Sequence, residues 1–89
     1  MLIVISLKNF KNKNKTMDKL LNIINGIIES KGETIISKID KEDKLRDDIG
    51  LDSFDLAELT VRLEDEFNVD VFEDGLVETI GEIINKLSL

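Results

Sequence analysis

The sequence predicts a small all-α, four-helix bundle: three main helices, one short helix, and a long loop between helices one and two. Three observations carry that expectation. Apolar residues recur at spacings of three and four in separate windows, so each window draws one apolar stripe. No pair of segments combines strict alternation with turn chemistry, so no strand pair is expected. Helices with one apolar stripe each bury it best against one another.

Residues 1–16 read as a separate piece, with the folded domain in 17–89. Met1 to Leu7 is a short apolar run, and Lys8 to Lys15 is polar and low in complexity. Positive charge follows the apolar run and no small-residue cleavage site appears, which argues against a secretory signal. The segment is expected to be a disordered extension, with Met17 a candidate natural start. Leu2 to Ile5 is an aggregation risk if it stays free.

The first main helix is expected over about Asp18 to Lys31. Leu20, Ile23, Ile24, Ile27 and Ile28 form its stripe, and Gly32 is its stop. Residues 33–51 form the long loop, with a further helical turn conceivable at Thr34 to Ile36. A loop of this length in a small domain normally has a functional reason. Ile39, Leu45, Ile49 and Leu51 are its apolar anchors. The second main helix spans Ser53 to Phe67. Asp52 is its N-cap, Asp55 completes a capping box, and Asn68 stops it. Leu56, Leu59, Leu63 and Phe67 share one face. The short helix is placed at Glu73 to Leu76. Thr79 and Glu82 form a second capping box, and Ile80, Ile83, Ile84 and Leu87 carry the last apolar face.

Eighty-nine residues make one small domain, with a modest core. The hydrophobic content is 42% with only four aromatic residues, all Phe, so the core is aliphatic. There is no cysteine, hence no disulfide and no thiolate metal site, which fits a reducing, cytoplasmic setting. No stretch approaches the ~20 apolar residues that span a bilayer. Four lysines and no acid lie in 1–16, which leaves 17–89 with eight basic and 19 acidic residues, a net charge of −11. Such a domain repels nucleic acid phosphates. It is steered toward basic protein surfaces instead, although solubility alone also accounts for the charge.

No metal site is expected. An EF-hand loop needs Gly at its sixth position and Glu at its twelfth. Counted from Asp40 these are Leu45 and Leu51, and from Asp43 they are Asp48 and Phe54.

Ser53 is the chemically informative residue. A nucleophilic serine needs an adjacent base, and the chain has no histidine and no cysteine. Lys44 is the nearest lysine in sequence. No catalytic residue is therefore assigned. An exposed serine at a helix start is well placed to be modified, since free N–H groups and the macrodipole favour an attached phosphodiester. The plain alternative is that Ser53 is only the first residue of a capped helix.

The run Leu45-Arg46-Asp47-Asp48-Ile49-Gly50-Leu51-Asp52-Ser53 resembles the approach to the attachment site in acyl and peptidyl carrier proteins. Downstream, Leu59, Leu63, Glu64-Asp65-Glu66-Phe67, Val69-Asp70-Val71 and Thr79-Ile80-Gly81-Glu82 are similar to further motifs of that family. The resemblance covers about residues 18–87. It implies a carrier that is not an enzyme, with a covalent 4′-phosphopantetheine arm on Ser53 beside Asp52. It further implies an acyl or aminoacyl cargo held as a thioester in fatty acid, polyketide or related biosynthesis. Implied partners are a phosphopantetheinyl transferase, an acyl or aminoacyl ligase, and downstream acyltransferases or synthases. Phe54, Asp55, Glu58, Val61, Glu64 and Asp65 would form the surface those partners read. A monomer is expected, with no membrane and no nucleic acid partner. Phe72 stands where the family usually has proline, and Glu73 to Glu78 is a short segment, so the cargo is left open. The alternative is a small acidic interaction module without a prosthetic group.

Overall fold

The computed structural model describes residues 12–73, 75 and 77–87. Three α-helices stand among them: α1 (Asn12–Ser30), α2 (Ser53–Phe67) and α3 (Ile80–Leu87).

Helix α1 begins six residues before the expected start at Asp18. Residues 12–16, assigned from the sequence to a disordered extension, are its opening turns. They carry no apolar period, but they also contain no glycine or proline, and lysine is a good helix former. The rest of that extension lies outside the described residues. The helix ends as Gly32 predicts. The Glu33 N–H donates to Ile28 O at 3.1 Å and the Gly32 N–H to Glu29 O at 2.9 Å, with Gly32 at φ 78°. This is the Schellman closure, in which the left-handed position favours glycine.

Helix α2 has the expected bounds. Asn68 closes it in the left-handed region at φ 59°, with its N–H on Glu64 O. Leu20, Ile24, Ile27, Leu59, Leu63, Ile80 and Ile83 are the fully buried centre where the three helices meet. At the α1–α2 contact Lys19 lies 5.8 Å from the centre of the Phe67 ring and 3.2 Å from Glu66.

The long loop is pinned as its apolar anchors require. Ile39, Leu45 and Leu51 are buried and Ile49 is half-buried. The conceivable helical turn at Thr34 to Ile36 does not form. The Asn25 side chain instead bonds both backbone groups of Ile36, each at 2.9 Å, and so supplies what a helical turn would have supplied. Farther on, the loop docks on α3. Lys44 and Thr79 make an isolated antiparallel bridge, and Leu45 N–H reaches Glu78 O at 2.8 Å. The N–H groups of Ile80 and Gly81, unpaired at a helix start, donate to Asp43 O and Lys41 O. The Thr79–Glu82 capping box is formed as well.

The short helix expected at Glu73 to Leu76 is not a helix among the described residues. Glu73 N–H bonds Asp70 O and Gly75 N–H bonds Phe72 O, which makes two turns. Asp74 and Leu76 lie outside the described residues. Gly75 at φ 128° explains the break, since that backbone is not helical.

Candidate functional site

The start of α2 is over-determined. Asp52 takes an extended backbone, and its carboxylate accepts the Asp55 N–H at 2.8 Å. Asp55 returns the bond by accepting the Asp52 N–H at 3.0 Å. This reciprocal box holds Ser53 as the first helical residue, and Ser53 is exposed.

The loop before it coils on itself. Ile49 N–H bonds Lys44 O, Gly50 N–H bonds Arg46 O and Leu51 N–H bonds Leu45 O. Gly50 sits at φ 90°, where glycine is favoured. Buried Leu45 and Leu51 fix the two ends of the coil, and Arg46 projects from it. The Arg46 guanidinium donates to Ser53 Oγ.

Ser53 also lines a cleft of about 640 Å³. Leu45, Leu56, Ala57, Phe72 and Val77 give it apolar walls, and Thr60 lines it as well. The Thr60 hydroxyl is satisfied by Leu56 O at 2.9 Å. Lys44, Arg46, Asp47 and Glu78 complete the lining. Ser53, Ala57 and Thr60 follow one another at helical spacing, so one stripe of α2 forms this wall.

The neighbouring stripe holds most of the other residues singled out from the sequence. Phe54 and Val61 are 79% and 68% exposed, two turns apart on the outer face. Glu64 and Asp65 are exposed, and with Val61 and Asn68 they line a shallow depression of about 380 Å³. Glu58 is half-buried and paired with Arg62, at 2.7 Å from its terminal nitrogen.

Asp55 does not belong to that outer face. It is 3% exposed, and its carboxylate accepts the Lys31 ammonium at 2.7 Å. The resemblance placed it on the surface that partners read, but Lys31 at the end of α1 receives this side chain on the inner side of the helix start. Burial alone pushes the Asp55 carboxyl up. The hydrogen bonds from Lys31 and from the Asp52 backbone, with the Lys31 charge, outweigh it and hold the carboxyl below its ordinary value of 3.8. The same hydrogen bond to Asp55 raises Lys31 above its ordinary 10.5.

The side chain that meets Ser53 Oγ is the Arg46 guanidinium. Arginine cannot accept a proton, so the group on Ser53 Oγ is a donor only. Among the described residues no group of three carboxylates gathers as a metal site. No described helix is long and apolar enough to cross a membrane.

Arg46 and Lys31 are the site residues that sequence reasoning missed. Both are basic residues in acidic surroundings, and that contrast was the available signal.

Comparison with known proteins adds an independent finding. The family model described as a phosphopantetheine attachment site matches residues 18–87. An acyl carrier protein of Thermotoga maritima is 34% identical over 72 residues, covering 79% of this chain and 89% of that relative.

Proposed function

The chain belongs to the phosphopantetheine-binding carrier family, and on that premise we propose that Ser53 bears the 4′-phosphopantetheine arm. Membership sets the coarse function: the chain is a carrier, it is not an enzyme, and phosphopantetheine is its prosthetic group. The finer reading is that it presents an acyl or aminoacyl thioester to partner enzymes of fatty acid, polyketide or related biosynthesis. A cytoplasmic setting and a monomeric state go with that reading.

One observation carries the assignment of Ser53. Its exposed hydroxyl stands at a helix start, contacted by a cation and with an apolar cleft alongside. These residues fit the group. The helix N-terminus and Arg46 favour a phosphodiester, and the cleft has room and apolar walls for an attached chain. Attachment joins Ser53 Oγ to phosphorus and breaks the diphosphate bond of coenzyme A, releasing the nucleotide half. The hydroxyl proton goes to a base on the phosphopantetheinyl transferase, because Arg46 cannot take it. When bound, the group supplies a thiol on a flexible arm, to which cargo is held as a thioester.

The remaining residues have supporting parts. Asp52 and Asp55 hold the helix start. Phe54 and Val61 offer apolar contact to a transferase, a ligase or a downstream acyltransferase or synthase, with Glu64 and Asp65 steering basic surfaces toward them. Glu58 has a weaker part, since Arg62 neutralises it. The cleft walls of Leu56, Ala57, Phe72 and Val77 support an apolar acyl cargo.

Mass spectrometry of the Ser53 peptide from protein purified from its native host tests this reading. An arm carrying a group that hydroxylamine releases is expected, and its mass identifies the cargo. A Ser53 peptide that is always bare contradicts the assignment.

A further inference from the structure

We propose that Arg46 is the anchor of the phosphodiester, holding the arm against the cleft beside α2. The inference rests on the reading of Ser53 as the attachment residue, and it adds a residue and a geometry to it.

Arg46 donates to Ser53 Oγ, the atom that becomes the ester oxygen. Any phosphorus on that oxygen is one bond farther out, within reach of the same guanidinium after a small side-chain movement. The planar fork suits two oxygens of a phosphate, and arginine keeps its charge at any working pH.

Arg46 is also uncommitted. The domain is strongly acidic, and Asp47 and Glu78 line the same cleft. Yet Arg46 makes none of the ion pairs found among the described residues. Its backbone is fixed, because its carbonyl accepts the Gly50 N–H and its neighbour Leu45 is buried. A guanidinium on a fixed backbone, facing a hydroxyl and paired with no carboxylate, is arranged for an anion that arrives later. Lys44 lines the same cleft and adds a second positive charge there.

The consequence is directional. Both Arg46 and Ser53 line the apolar cleft. A phosphodiester bridged between them starts the arm toward Leu56, Ala57 and Val77, away from the outer stripe of Phe54 and Val61. Partner binding would then have to draw the arm out of that position.

The test compares apo- and holo-protein of the full chain by NMR, with intact mass confirming the attached group. In the wild type the Arg46 Nε–Hε cross-peak should shift on modification. The phosphorus resonance of the holo-protein should relax as part of the folded body. In holo Arg46→Gln the ratio of held to free phosphodiester read from that relaxation should fall about 1.5- to fivefold, the range expected for losing one exposed charge pair. Holo Arg46→Lys should fall between. An Arg46 cross-peak indifferent to modification overturns the proposal, as does equal phosphorus relaxation in the three holo-proteins. The wild-type cross-peak decides the matter even if a variant folds poorly. A chain that gains no mass overturns the attachment reading as well, so the two failures are told apart.

Discussion

The Lys31 ammonium donates to the Asp55 carboxylate at 2.7 Å, and this bond ties the end of α1 to the first turn of α2. The same carboxylate caps Asp52. One oxygen therefore links two helices and the loop end that delivers Ser53.

The link makes stability depend on pH at both extremes. Asp55 has a folded pKa below its ordinary 3.8, so its contribution is fully present above that value and is lost as pH falls through the lower folded value. Lys31 is raised, so its contribution is present below 10.5 and is lost as pH rises through the higher folded value. Thermal melts should be flat in this respect between about pH 5 and 9 and should fall below pH 4. Asp55→Asn should melt lower at neutral pH and show a shallower acid fall. An unchanged acid profile in that variant would show that the pair is not what titrates.

Asp52→Ala removes the N-cap acceptor while Asp55 keeps its bond to the residue-52 N–H. The expected loss is about 1 kcal/mol, within the ~0.5–2 kcal/mol range for such caps. Urea unfolding of the apo-protein measures it. A change under about 0.3 kcal/mol would mean that the Asp52 carboxylate adds nothing to the helix start.

Gly81 sits where the loop crosses α3. A Cβ there would lie 3.0 Å from the Lys41 carbonyl oxygen, the atom that accepts the Gly81 N–H at 2.9 Å. Overpacking costs ~1–3 kcal/mol, whereas alanine in a helix gains up to ~1 kcal/mol over glycine. The packing term wins because the clash is with backbone, so Gly81→Ala should lose about 1 kcal/mol in urea unfolding. Equal or higher stability would show that the loop yields.

The outer stripe predicts a salt-dependent rate. Modification by a transferase should slow as salt rises, and Asp65→Lys should slow it further at low salt with a weaker salt dependence. Glu58→Lys should do less than Asp65→Lys, because Arg62 already neutralises Glu58. Rates that ignore both salt and Asp65 would rule out charge steering by this face.

Most of the fold was legible because it is written in periodicity and caps. The stripe from Leu20 to Ile28 repeats over about two turns, and the Asp52–Asp55 box, Asn68 and the Thr79–Glu82 box each announce themselves within about one turn of helix. Two of the misses, at Asp55 and Ile36, come from contacts distant along the chain. Asp55 turned inward because Lys31, 24 residues away, receives it. Ile36 stayed out of a helix because Asn25, eleven residues away, binds its backbone. Arg46 reaches Ser53 only because the loop between them coils back through Gly50 and Leu51. Residues 12–16 were missed for another reason: a polar helix start has no apolar period to read.

The central claim is that Ser53 bears the prosthetic group, and intact mass tests it most directly. The full chain is incubated with coenzyme A and a phosphopantetheinyl transferase, beside a Ser53→Ala variant that keeps the fold. The wild type should gain the mass of one phosphopantetheinyl group and Ser53→Ala should gain none. No gain in the wild type, or an equal gain in Ser53→Ala, would contradict the claim.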